Sequence, residues 1–416
     1  MSFKVKESKI IFFLINFLIL LDYNFFYIIK QPSFLYVVNN KYNKSLISII
    51  CIGLTIYIIV KKGNKIKKYK WTRFYSALLV ISIMLVIIIT TYIYDKQSIL
   101  STIRVSISYF IPILILPILY ILEMGYSEKM MRYMEKFVFL WYVICFLQYI
   151  LFMINNTIII NDYFADGDIN MRGGNVRITL FLFGNLFLLY HFDMLLSKNK
   201  KRSWHLINFI LGVLCVFLVQ QTRMFYIADM LGLFIILFFS GKKVNKKIRN
   251  MLLFAGGVIM LLLTGAVQAL VNSIFFGNDV YVLSSTSIRV SAIEYYISCF
   301  IENPLIALGF VSDGTYYNLV HGISGSYYYS DVGYIGVLAQ TGVFSIIIYI
   351  IPLLRMFYIT LKCIKKTTLE ECAFMISICC FLSILSMTIA FTSTTRILAF
   401  TWFYALFEYN YKIQCR

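Results

Sequence analysis

Phe74–Tyr94 reads FYSALLVISIMLVIIITTYIY, 21 residues without a single Asp, Glu, Lys or Arg. At a helical rise of ~1.5 Å per residue the stretch is about 30 Å long, the thickness of a bilayer's hydrocarbon core. On its N-terminal side, residues 61–73 hold seven cations, whereas its C-terminal side meets only Asp95 and Lys96. Such a helix orients itself, because Lys and Arg are retained in the cytoplasm.

Working outward, comparable apolar runs recur near 10–29, 45–60, 74–94, 98–122, 137–156, 177–196, 205–220, 224–240, 251–271, 331–351, 372–391 and 396–411. Only Gln220–Arg223 separates the short pair 205–220 and 224–240. Lys4–Lys9 followed by Ile10–Leu21 lacks a small-residue cleavage site, so a retained first span is expected rather than a signal peptide. The composition agrees: 60% of the 416 residues are hydrophobic and 14% charged, against roughly 25% charged in soluble domains. The fold class read from these runs is an all-α polytopic membrane protein of about twelve transmembrane helices, forming a single membrane domain over 1–416.

The net charge of +19 is a topology signal, not a nucleic-acid footprint. With the N-terminus inside, the cytoplasmic segments are 1–9, 61–73, 123–136, 197–204, 241–250, 352–371 and 412–416. They hold 28 of the 38 Lys and Arg. Both termini are then cytoplasmic. Of the nine cysteines, all but Cys299 fall in spans or on the cytoplasmic side, so no disulfide framework is expected.

Two outer segments are long. The first, 157–176, contains Asp162, Asp166, Asp168 and Arg172, with Arg177 at its edge. The second, 272–330, starts irregularly over Asn272–Ser284. Thr286–Glu302 then reads as an amphipathic helix lying at the interface. Ile288, Ala292, Tyr296 and Phe300 line one face, and Arg289, Ser291, Glu294, Ser298 and Glu302 the other. Asn303-Pro304 ends it. Residues 312–330, rich in Gly, Ser and Tyr, read as a mobile loop.

The choice of cation carries the chemical signal. Cytoplasmic cations are 22 Lys and 6 Arg, whereas the ten outer cations include Arg104, Arg172, Arg177, Arg223, Arg289 and Arg396. Ile, Phe, Tyr, Lys and Asn are abundant, the bias of an AT-rich genome in which Lys is the default. The guanidinium fork binds phosphate bidentately and keeps its charge when partly buried. The six outer arginines therefore point to an anionic site at headgroup depth, with snorkelling onto ordinary lipid phosphates as the plainer alternative. His321 is the only outer histidine, and histidine is the side chain whose charge changes nearest neutral pH. It is the first candidate for a general base, with Glu294 and Asp331 as alternatives. For Asp331 a helix N-cap is the plainer role. No cluster with metal-ligand spacing occurs, so neither metal nor other cofactor is expected. Walker and Gly-rich phosphate loops are missing from the cytoplasmic segments. Composition bias makes the tyrosines of the outer segment weak evidence for sugar stacking.

The outer segments resemble the O-antigen polymerase and ligase superfamily, the Wzy-type repeat-unit polymerases. TSIRVSAIEYYISCFIENPLIALGF, 286–310, is similar to the family's Arg-opened helix and its P-l-x-G-x-G-like turn, with Ala307 in place of the first Gly. Ser330-Asp331-Val332-Gly333-Tyr334-Ile335-Gly336-Val337-Leu338, with Gly342, is similar to the family's re-entry into the membrane. Gln221-Thr222-Arg223 resembles a T-x-S-R-like element lacking its Ser. The likeness covers mainly 172–350.

It implies a membrane glycosyltransferase, similar in architecture to the C-type glycosyltransferases. Such an enzyme polymerises undecaprenyl-pyrophosphate-linked oligosaccharide repeat units into O-antigen, capsule or exopolysaccharide at the outer leaflet of a bacterial cytoplasmic membrane. The implied partners are that lipid-linked donor, the bilayer, and a chain-length regulator and flippase of the same pathway, with no nucleic acid. Arg289 and Arg223 match the family's arginines, and His321 loosely matches the ligase loop histidine. In this reading Arg104, Arg172, Arg177, Arg223, Arg289 and Arg396 bind pyrophosphate, and His321, Arg289 and Glu294 are catalytic. An O-antigen-type ligase is the alternative. A flippase or transporter of lipid-linked oligosaccharide is the second, disfavoured because mid-span charges are few (Asp22 and Asp229) and no internal repeat is visible.

Overall fold

The computed structural model describes residues 7–23, 25, 40–158, 171–172, 175–178, 180–197, 202–239, 280–393 and 396–414. The span expected at 251–271, Asp162, Asp166, Asp168 and Lys30 lie outside them. Apart from a two-residue strand pair, β1 (Met171–Arg172) with β2 (Asn175–Val176), every regular element is helical. Five helices among the described residues are long and apolar enough to cross a membrane: Lys44–Ile66, Lys70–Ile93, Ile99–Asn155, Arg202–Gln220 and Ile346–Ile364.

In chain order the first helices are α1 (Glu7–Asp22), α2 (Asn40–Ile66) and α3 (Lys70–Ile93). The serines Ser76 and Ser82 inside α3 do not interrupt it. Ser76 donates to the Thr72 carbonyl and Ser82 to that of Leu78, so each is satisfied within its own helix. Ile56, Val60, Phe74, Ile81 and Ile88 are exposed on the outside of the bundle, a surface suited to lipid rather than water.

The 57-residue helical run Ile99–Asn155 is two antiparallel segments, not one. It comprises α4 (Ile99–Ser106), a 3₁₀ segment holding Pro112, α5 (Ile115–Ile121) and α6 (Ser127–Asn155). Gly125, at φ 83°, breaks it. Contacts on either side give the directions. Thr55 of α2 bonds to Ile113 and Lys68 pairs with Glu123, so α5 runs parallel to α2. Tyr126 meets Phe12, and Phe137 and Trp141 meet Tyr23, so α6 runs parallel to α1. Because Glu7 pairs with Lys62 and Asp22 with Lys44, α1 and α2 are antiparallel. The chain therefore reverses at Gly125.

Then follow α7 (Phe181–Leu196), α8 (Arg202–Leu214), α9 (Arg223–Phe239), α10 (Val280–Glu302), α11 (Tyr317–His321), α12 (Gly333–Thr341), α13 (Ile351–Ile364), α14 (Leu369–Leu385) and α15 (Ile397–Gln414). The short pair expected at 205–220 and 224–240 is two helices, joined only by Gln221–Thr222 with Gln221 left-handed. The run 331–351 is not one span. It breaks where Gly342, at φ +52°, brings its backbone so close to Leu305–Ile306 that no Cβ fits. α13 then continues to Ile364, beyond the cytoplasmic boundary expected at 352.

The bundle has two chemically distinct ends. One carries the ion pairs Lys62–Glu7, Lys68–Glu123 and Arg355–Glu408. Arg355 is held bidentately at 2.7 and 3.1 Å and lies over the rings of Trp71, Tyr358 and Tyr411, which clamps α3, α13 and α15 together. The other end gathers residues 94–98, the Gln221–Thr222 turn, 386–393 and Arg396. Phe225 against Phe381, with Ser377 bonded to the Gly232 carbonyl, makes α9 antiparallel to α14 and sets Arg223 at that second end.

A cap, residues 303–332, closes the second end. Its anchor is Gln97, buried between α3 and α4 and 3% exposed. The Gln97 amide donates to Thr102 and to the Phe310 carbonyl and accepts from the Ser312 N–H, at 2.7 to 2.8 Å. The segment read as a mobile loop at 312–330 is thus a folded unit stitched to the bundle. Gln97→Leu should free two backbone groups, each worth on the order of 1–3 kcal/mol when left buried and unpaired. Limited proteolysis should then cut within 303–332, where the parent chain resists.

Candidate functional site

The cap is folded from its own short-range chemistry. Pro304 follows α10 and cannot continue it. Ala307 then sits at φ +52°, the left-handed region that glycine adopts without strain, which explains why a Gly is expected there. Gly309, at φ +78°, packs its backbone against Thr90, whose hydroxyl accepts from the Phe310 N–H. α11 follows, its last carbonyls capped by α10: Tyr295 donates to Leu319 at 2.7 Å and Tyr296 to Val320 at 2.9 Å. The buried face of α10 is built on Ala292 and Tyr296, with Tyr295 and Cys299 beside them. Ile288, expected on that face, is exposed. The helix also begins at Val280, inside the stretch expected to be irregular.

This framework fixes His321, the last residue of α11, which is 6% exposed. Its Nδ1 lies 2.6 Å from the Tyr327 carbonyl oxygen. A carbonyl only accepts, so the neutral ring carries its proton on Nδ1 and its lone pair on Nε2. The Tyr317 and Tyr328 rings flank the imidazole at 4.5 and 4.9 Å. Asp313 Oδ2 stands 3.7 Å from Nε2, beyond hydrogen-bond reach, so the lone pair is not consumed.

His321 and Asp313 border a cleft of about 260 Å³ between the cap, the α4–α5 segment, α12 and the 390–393 turn. Its polar lining is specific. Tyr109 donates to Gln340 Oε1 at 2.5 Å. The Thr392 and Tyr329 hydroxyls, both buried, have no partner among the described residues. Burial holds the Tyr329 and Tyr296 phenols above the ordinary tyrosine range, so both stay protonated donors. At the rim, Ser393 accepts from Arg396 Nη1 at 2.7 Å. Gly336 lines the wall because its backbone abuts that of Tyr329, leaving no room for a Cβ. A buried histidine, hydroxyls without a partner among the described residues and a guanidinium bonded to the wall residue Ser393 together suit a polar ligand carrying hydroxyls and an anionic group.

The other expected site residues are distributed more widely. Arg104 is exposed in the last turn of α4, next to Val105 of the cleft wall. Arg177 bonds through Nε to the Gln220 carbonyl and through Nη2 to Thr222, so it meets the Arg223 turn away from His321. Arg223 opens α9, half-buried. Arg289 and Glu294 are exposed on α10, off the face that carries Ala292 and Tyr296, and neither lines the cleft. Glu294 is therefore not positioned as a base for this site. The Arg172 backbone is in β1, and its side chain lies outside the described residues. Asp331 is exposed and accepts from Ser330; it does not cap α12, whose N-cap is Val332. Among the described residues no three His, Cys, Asp or Glu side chains group to hold a metal ion.

Sequence reasoning missed Asp313, Gln340, Tyr109 and Thr392. A usable signal was present at 392–396, TSTTR, a hydroxyl-rich run ahead of an arginine within an apolar region. No protein-family model matches the chain, and no curated protein matches it.

Proposed function

We propose that the chain is a bacterial cytoplasmic-membrane glycosyltransferase. It joins oligosaccharide repeat units carried on undecaprenyl pyrophosphate into a surface polysaccharide at the outer leaflet. In this reading about twelve helices cross the bilayer in an arrangement similar to the C-type glycosyltransferases, with both termini cytoplasmic and the cleft facing outward. The carrying observation is the cleft, which His321 lines and whose wall residue Ser393 accepts from the guanidinium of Arg396. Its position at the end away from the lysine-rich ion pairs supports the outward orientation.

The chemistry follows from these groups. The acceptor's hydroxyl enters beside His321 and donates its hydrogen bond to Nε2. Its oxygen attacks C1 of the donor sugar, the C1–O bond to the lipid pyrophosphate breaks, and the hydroxyl proton passes to Nε2. Asp313 then faces an imidazolium, which its charge stabilises. Negative charge grows on the departing pyrophosphate, where a guanidinium fork is strongest. The unpaired Thr392 and Tyr329 hydroxyls are donors for sugar oxygens. The cap shields the reacting C1 from water, which would otherwise hydrolyse the donor.

Deleting the gene should leave single repeat units on the lipid carrier and remove long chains, as read by electrophoresis of extracted polysaccharide. Full-length polymer in the deletion strain contradicts the proposal. With purified protein, a ladder formed from the lipid-linked repeat alone marks a polymerase. Transfer only onto an added terminal acceptor marks a ligase, and product that appears only across a sealed membrane marks a transporter.

A further inference from the structure

A second cavity lies on the outside of the bundle, toward the lysine-rich end. It is a groove of about 790 Å³ between α2, α3 and the α4–α5 segment, walled by apolar residues such as Ile56, Ile59, Val80 and Ile113. Lys70 and Arg73 stand in its lining at the start of α3, both exposed. Of the cations at this end, Lys62, Lys68 and Arg355 are paired with carboxylates, while Lys61, Lys65 and Lys67 are not, among the described residues, and do not line the groove. Lys70 and Arg73 have no acidic partner among the described residues. Trp71 and Phe74 pack together beside them, as aromatic side chains do at headgroup level.

The groove's depth selects its occupant. From Lys70 to Ile81 the helix advances about 16 Å at ~1.5 Å per residue, half of the ~30 Å hydrocarbon thickness. The groove therefore starts at headgroup level and stops near the midplane, the depth of one leaflet. A phosphate at Lys70 and Arg73 gains two cations that no described carboxylate neutralises, and acyl chains of ordinary length fill the apolar walls. A polyprenyl chain is too long for a channel one leaflet deep. We propose that this groove binds an acidic glycerophospholipid of the leaflet opposite the cleft. The site is separate from the cleft and does not depend on the glycosyltransferase reading.

The test is native mass spectrometry of the purified full chain with equimolar phosphatidylglycerol and phosphatidylcholine. Phosphatidylglycerol should be retained at least fivefold more, and Lys70→Gln with Arg73→Gln should abolish that preference. Ala77→Trp, at an exposed lining position, should block the groove and reduce retention to a similar extent while the helical circular-dichroism spectrum stays intact. Equal retention of the two lipids overturns the proposal, as does preference surviving either set of variants. Displacement of phosphatidylglycerol by an equimolar polyprenyl phosphate overturns the assignment of the occupant.

Discussion

His321→Gln should lower the rate of chain extension by about 10²–10⁴-fold, the usual worth of a positioned general base, while leaving the protein's level in the membrane unchanged. The reason is geometric. The imidazole is oriented by one hydrogen bond, Nδ1 to the Tyr327 carbonyl, and by two flanking rings. A glutamine amide can keep the bond to that carbonyl but offers no basic nitrogen to an incoming hydroxyl. Conversion of a labelled lipid-linked repeat to a dimer, followed in detergent, measures the loss. Glu294→Gln is the matched control, since Glu294 is exposed off the cleft, and its rate should stay within about threefold of the parent, as for an ordinary surface change. A large loss in the glutamate variant with a small one in the histidine variant would reassign the base.

Arg396→Gln should cost about 10²–10³-fold in kcat/KM, the range found when one preorganised charge-stabilising donor is removed. Arg396 donates from Nη1 to Ser393, which lines the cleft. Arg396→Lys restores a charge but not the fork, so recovery should be partial. Separating kcat from KM tells its role. If Arg396 acts on the departing pyrophosphate, kcat falls; if it only docks the donor, KM rises with kcat retained. Parent-like kinetics in Arg396→Gln would remove it from the site.

How much of this was legible in the sequence depends on where each signal resides. The run 74–94 reads as a membrane helix because hydropathy is local, and α3 covers it almost to the residue. The end of α13 at Ile364 was not marked by the cations of 352–371, because lysines extend a helix as readily as they leave one. The break at Gly342 was hidden because its cause, the Leu305–Ile306 backbone, lies nearly forty residues away. The cap was read as a mobile loop for the same reason: its bonds to Gln97 and Thr90 span more than two hundred positions. His321 stood out as the lone outer histidine. The arginine pattern indicated an end of the molecule rather than a single pocket, since Arg177 and Arg223 share one turn, Arg396 is bonded to Ser393 of the cleft wall, and Arg289 is on an exposed helix face.

The Gln97 anchor also has a consequence in time. Its carbonyl partner, Phe310, follows 213 positions later in the chain. At a synthesis rate of about 5–20 residues per second, roughly 10–40 s separate the two on the ribosome. During that interval α3 and α4 are already made, and the Gln97 amide must find water or lipid headgroups instead of protein. The nascent chain therefore has no closed cleft until its later part emerges. Ribosome release shortly before residue 310 should yield a product that membrane quality-control proteases recognise, whereas release after the cap should yield one they spare.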